Sequence, residues 1–332
     1  MTAVQHSTQG KQGKQGKQGY YETLRTLSQA SVDQHFDAFK DIAWDSPELA
    51  VHAGDERFIL TDADEIGRHP WYKSLPKERQ IEIGMYRVAQ IAKVGRQFEQ
   101  LLISGVMNRL VWEPDDNPEF RYATHEVTEE THHTQMFAGT VTRVNPDVIG
   151  APTYFKVLFP FLSAAGAFFP EVFFIGILAG EEPIDHLQKS ILRAGGGHPL
   201  ADRVMQIHIA EEARHIGFAH QYLEQHVAEL GTLKRQFVAV TFPLIMRLLC
   251  DVIMVPPAQA RRDMGIPDEV AKEIWWDSEH SSKTLRDMFT DVRMLADDLG
   301  IRRNPIHRLM WKISGIDGRP ARFRGQPASA TH

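Results

Sequence analysis

Four long stretches of this chain repeat apolar residues at helical spacing, and each has glutamate or histidine standing in the apolar stripe. The first, from about Glu78 to Val111, lines up Met85, Val88, Ala92, Gly95, Leu102 and Val106, with Glu99 among them. The second, about Pro118 to Val144, follows the turn-like EPDDNP and carries Val127, Phe137 and Val141 together with Glu130 and His133. The third, about Pro170 to Arg193, places Glu181 with Phe174, Ile177, Ile184 and Gln188 and stops at GGGHP. The fourth, about Leu200 to Leu230, contains HIAEEARH, where His208, Glu212 and His215 fall at i, i+4 and i+7 on one face. A buried carboxylate without a partner is very costly. No matching set of lysines or arginines occupies the stripes, so the four helices are expected to meet around bound metal.

The order of these residues sharpens the expectation. One Glu from each of two helices, plus E-x-x-H from each of two others, is the carboxylate-bridged di-iron or di-manganese arrangement of ferritin-like bundles. Four carboxylates balance the charge of two divalent ions and can bridge them, while imidazole adds neutral nitrogen ligands. Each piece alone is a weak signal; the full set on four successive helices is specific. Spacing leaves some choices open: Glu182 competes with Glu181, Glu129 with Glu130, and Glu211 shares a face with His208 and His215. Their plainer roles are solvent contact or support of a ligand from behind. Asp185, one turn after Glu181, is placed to orient a ligand histidine. His125, His132, His186 and His220 read as structural or exposed.

Strand signals are scarce, and further helices are expected at 233–255 and 267–298, with a proline-rich connection between the second and third long helices. The fold class is therefore all-α, a ferritin-like long-helix bundle with additional peripheral helices. One domain is expected over 21–314. The Gly-Lys-Gln repeat within 1–20 has nothing to bury and is expected to lack regular structure, and 315–332 reads as an extended tail. The apolar runs at 157–180 and 236–255 are interrupted by proline or charge, so they are read as helices buried on all sides rather than membrane spans. A net charge of −6 without a basic, aromatic-rich cluster argues against nucleic acid as a partner. The single cysteine, Cys250, excludes an intrachain disulfide and thiolate zinc sites. No secretory leader is visible, and a cytoplasmic location is expected.

The segments QFEQLLIS (97–104), EETHHTQMF (129–137), AGEEPID (179–185) and HIAEEARH (208–215) resemble the four ligand helices of the arylamine N-oxygenases, the p-aminobenzoate N-oxygenase family. The resemblance covers about residues 80–225 and includes a third histidine, His208, four residues before the last Glu. It implies Glu99, Glu130, His133, Glu181, His208, Glu212 and His215 as ligands and favours Glu181 over Glu182. It further implies a homodimer, two iron ions and O2 as co-substrate. The implied reaction oxidises an aromatic amine through hydroxylamine and nitroso stages to a nitro group, by way of a peroxo-di-iron(III) species. No flavin or nicotinamide fingerprint and no cysteine cluster is present, so electrons are expected from a separate reductase or ferredoxin. Two other readings stay open: a related oxygenase acting on carbon or another organic substrate, and a ferroxidase or metal-binding protein. The aromatic segment 154–174 can line a substrate cavity or simply fill the core, and no pocket residue follows from the resemblance.

Overall fold

The computed structural model describes residues 3–318, with side chains from residue 17 onward. Seven long helices organise them: α1 (Ala3–Asp33), α2 (Lys77–Leu110), α3 (Pro118–Val144), α4 (Thr153–Phe168), α5 (Pro170–Ala194), α6 (Pro199–Glu229) and α7 (Thr232–Met254). The described residues contain no strand. The fold is all-α and consistent with a ferritin-like bundle.

Local chemistry sets the helix ends. Asn117 caps α3 by accepting a bond from the Glu119 amide, and Pro118 occupies the first turn, where its missing N–H costs nothing. His198 caps α6 in the same way ahead of Pro199. Helix α5 ends at Gly195, whose φ of +68° is a left-handed conformation that favours glycine.

Helices α2 and α3 pack against each other, as do α5 and α6, and the two pairs meet through α3–α6 and α2–α5 contacts. The connection between the pairs is itself helical. Helix α4 lies on α2, close enough at Gly166 that a Cβ there would stand 2.0 Å from the Gly105 carbonyl oxygen. Helix α7 covers α5, and α1 lies across α3 and α6. The segment between α1 and α2 is tied to α2 by close contact. A Cβ on Gly84 would meet the Phe58 carbonyl oxygen at 1.7 Å, and buried Arg87 and Asp64 pair at 3.1 Å.

Several expectations change. The region between the second and third long helices contains α4, with Pro160 inside it. Proline removes one backbone hydrogen bond there and evidently does not end the helix. The apolar run 157–180 is two helices, because Phe169 leaves helical geometry and Pro170 starts α5. Nor is it buried on all sides: Val157, Phe161 and Phe168 of α4 are exposed, as are Phe237, Leu244 and Leu248 of α7. One helical stretch, Thr232–Asp263, is long and apolar enough to cross a membrane by length and composition, and 61% of its apolar window is buried in the bundle. The helix expected over 267–298 is divided into Asp268–Lys272, a widened turn at Glu273–Asp277, Glu279–Met288 and Thr290–Asp298. Ser278 makes one division by capping the next helix with its side chain.

The chain ends also differ from the reading of the sequence. Helix α1 starts at Ala3 and includes the Gly-Lys-Gln repeat; its glycines oppose helix formation, and the helix continues into the packed turns around Tyr20 and Leu24. At the other end Ile316 is buried, Asp317 approaches Arg302, and Arg293 and Arg302 donate to the Ile316 and Gly318 carbonyls, so Gly315–Gly318 pack on the bundle. The rest of the expected tail, 319–332, lies outside the described residues.

Candidate metal centre

The seven candidate residues come from the middle turns of α2, α3, α5 and α6, and all are buried. Six form two overlapping groups whose ligand-type atoms lie within 4.8 Å of one another: Glu99, His133, His208 and Glu212, and Glu130, His133, Glu212 and His215. Glu212 and His133 belong to both. Glu181 falls outside these groups, but its carboxyl interacts with Glu212 and Glu130. Pro183, two residues later in α5, cannot donate to the helical hydrogen bond that the Ala179 carbonyl would otherwise accept, which loosens the turn carrying Glu181.

Each histidine turns one nitrogen to this carboxylate cluster and the other to a supporting side chain. His133 Nδ1 lies 3.0 Å from Glu130 Oε2 and 3.2 Å from Glu212 Oε1, while its Nε2 is 2.9 Å from Glu211 Oε2. His215 Nδ1 lies 3.0 Å from Glu130 and 3.1 Å from Glu212, and its Nε2 is 2.7 Å from Glu129 Oε2. His208 Nε2 faces Glu99 at 3.2 Å and Glu212 at 3.7 Å, with Nδ1 3.0 Å from Gln188 Oε1. A carboxylate or carbonyl behind an imidazole sets its tautomer and raises its basicity toward a metal. Thus Glu129 and Glu211, whose places were open in the sequence, stand behind His215 and His133.

Those supports are themselves held. Arg214 reaches Glu129 at 2.8 Å, and the Phe36 amide donates to Glu211 at 3.0 Å, so the segment after α1 helps to fix His133. Asp185 does not orient a histidine: it pairs with Lys189 at 2.6 Å, and Gln188, one turn on, takes that position. Glu182 pairs with His220 rather than joining the cluster. Replacing Glu211 by glutamine should weaken iron binding about 10- to 100-fold in chelator competition. An unchanged affinity would show that His133 is held without it.

The sequence reading passed over Glu126. It lies one turn before Glu130, is fully buried, and neither carboxyl oxygen has a hydrogen-bond partner. Burial pushes its carboxyl well above the usual range. Its signal was available as a further charged residue at i−4 from a candidate ligand.

Without metal, the centre is a set of acids and bases sharing protons. Burial, reinforced by neighbouring carboxylates, pushes Glu99 and Glu181 well above the usual carboxylate range. Burial also opposes charge on Glu130 and Glu212, but His215 and the other nearby imidazoles outweigh it; Glu130 falls to about 2 and Glu212 is lowered too. His133 and His215 rise despite burial, through Glu130 and Glu212 respectively, whereas burial takes His208 down to about 4. The residues fit a pair of cations. Glu99 Oε2, Glu181 Oε2 and Glu212 Oε2 are buried without any partner, and an oxygen- and nitrogen-rich donor set of this kind suits iron or manganese. Metal must displace the protons on the raised groups, so uptake strengthens as pH rises. Iron occupancy at fixed free iron is therefore expected to climb between about pH 5.5 and 8; a flat profile would contradict this proton competition.

Comparison with known proteins agrees with the geometry. The family model described as P-aminobenzoate N-oxygenase matches residues 17–300, well beyond the four ligand helices. An uncharacterized protein of Mycobacterium tuberculosis (strain CDC 1551) is 50% identical over 309 residues, 93% of this chain and 91% of its own length. An uncharacterized protein of Mycobacterium bovis has the same identity and coverage. No solved structure matches the chain significantly.

Proposed function

Because the chain belongs to the p-aminobenzoate N-oxygenase family, we propose that it is a di-iron oxygenase that uses O2 to oxidise an aromatic amine through hydroxylamine and nitroso stages to a nitro product. The observation that carries this reading is the buried centre itself: three carboxylate oxygens without partners, on Glu99, Glu181 and Glu212, beside three imidazoles each braced from behind. Glu99, Glu130, His133, Glu181, His208, Glu212 and His215 would hold the two irons.

When bound, the metals supply O2 activation and redox capacity. The protein supplies the rest. Four carboxylates neutralise the cations in a site sealed from water, and the supports on His133, His208 and His215 keep the rings aimed. His208 adds a third neutral nitrogen donor on the Glu99 side of the cluster. Glu126, buried and unpartnered next to the α3 ligands, has its carboxyl pushed well above the usual range by burial. Electrons come from a separate reductase or ferredoxin, and the enzyme works as a cytoplasmic homodimer.

Anaerobic reconstitution with ferrous iron, followed by O2, tests this function. About two irons per chain and conversion of arylamines to hydroxylamine or nitro products are expected. Less than about one iron per chain would remove the di-iron assignment, and full loading with arylamines left intact would remove the N-oxygenase assignment alone.

A further inference from the structure

Two cavities lie beside the centre, and their linings differ in kind. The first contains Arg57, Asp64, His198 and Asp202 among mostly apolar residues. It touches the centre behind His208. Gln188 of its wall holds His208 Nδ1, and Phe137 of its wall lies 5.1 Å from the His208 ring. Its one arginine is already used, since Arg57 Nε and Nη2 both bond the Asp55 carboxylate.

The second cavity lies between α2, α4, α5 and α7 and has no polar side chain in its lining. Its inner walls are the residues next to two candidate ligands. Phe98 and Leu102 flank Glu99 on α2, and Ile177 stands one turn before Glu181 on α5. These two glutamates carry unpartnered oxygens. Its outer rim, Leu162 and Leu248, joins the exposed apolar residues Phe161 and Leu244 of α4 and α7.

We infer that this apolar cavity is the substrate site and that the substrate is an uncharged aromatic amine with an apolar substituent, not a carboxylated one such as p-aminobenzoate. The inference rests on the arylamine reading of the centre and narrows it. A ring entering between α4 and α7 would point its leading group toward the wall formed by Leu102, one turn after Glu99, and Ile177, one turn before Glu181, with its other end against hydrocarbon. A carboxylate on that end would lose its hydration and find no cation or donor in the lining, a penalty that outweighs the burial of the ring. An alkyl group in the same place gains from burial.

Iron-loaded protein titrated anaerobically with aniline, 4-ethylaniline, 4-butylaniline and p-aminobenzoate tests the assignment. Affinity is expected to rise about fourfold per methylene, with p-aminobenzoate weakest. Gly176, on the cavity wall in α5, supplies the control. A Cβ there makes only ordinary contact with Leu249, so Gly176→Leu projects its side chain into the cavity, and circular dichroism with iron content verifies that fold and ligands are kept. This variant should keep its iron and lose the alkylaniline series. Tighter binding of p-aminobenzoate than of 4-butylaniline, or no effect of Gly176→Leu, overturns the inference. So does a Gly176→Leu effect on oligomeric state alone, which would make the apolar opening a contact between copies. Graded binding without any oxidation would leave the cavity assignment standing and remove the N-oxygenase function.

Discussion

Purified Glu212→Ala protein is expected to hold almost no iron while keeping its helical content. Glu212 belongs to both groups of the centre, and one of its oxygens lies 3.2 Å from His133, 3.1 Å from His215 and 3.7 Å from His208. No other carboxylate approaches all three imidazoles. Its removal takes a ligand from each metal position. Glu99, by contrast, belongs to one group, so Glu99→Ala should retain about half of the wild-type iron. Elemental analysis of iron per chain beside far-UV circular dichroism separates loss of metal from loss of fold. Normal iron in Glu212→Ala would mean that the cluster is not arranged around this residue.

The largest expected loss of stability lies away from the centre. Arg87 and Asp64 are 1% and 2% exposed, and Arg87 also bonds Gln90 Oε1 and the Met254 carbonyl. The pair therefore joins the segment before α2, the first half of α2 and the end of α7. Arg87→Met leaves Asp64 buried with an uncompensated charge, which costs about 3–5 kcal/mol. Urea unfolding should show that loss. Adding Asp64→Asn should recover much of it, because an amide oxygen can still accept from the Ile66 amide as Asp64 does at 2.8 Å. A single variant as stable as wild type would show that the Arg87–Asp64 pair does not hold these segments together.

Much of the centre could be read from spacing because a helix converts sequence intervals into faces. Glu130–His133 and Glu212–His215 are neighbours on their own helices whatever surrounds them. The supports were harder. Asp185 and Gln188 lie on successive turns of α5 and either can reach across to α6; the position of Lys189 beside Asp185 leaves Gln188 for His208. Glu129 and Glu211 could be read either as solvent positions or as supports behind a ligand. They are buried because α1 and the segment after it cover that side of α3 and α6, a contact between residues 175 positions apart for Phe36 and Glu211.

The sequence by itself determined the class of fold, the four helices that carry the acids and histidines, and the chemistry those residues offer, since each depends on local periodicity, capping and residue type. Tertiary structure decided the rest. It selected which polar groups stand behind the imidazoles and made α4 a packed helix through the close approach of Gly105 and Gly166. It also opened two cavities beside the centre, one lined by apolar residues alone and one that includes charged side chains. Periodicity states which face of a helix is apolar; what lies opposite that face, another helix, a cavity or water, depends on how helices distant in sequence cross.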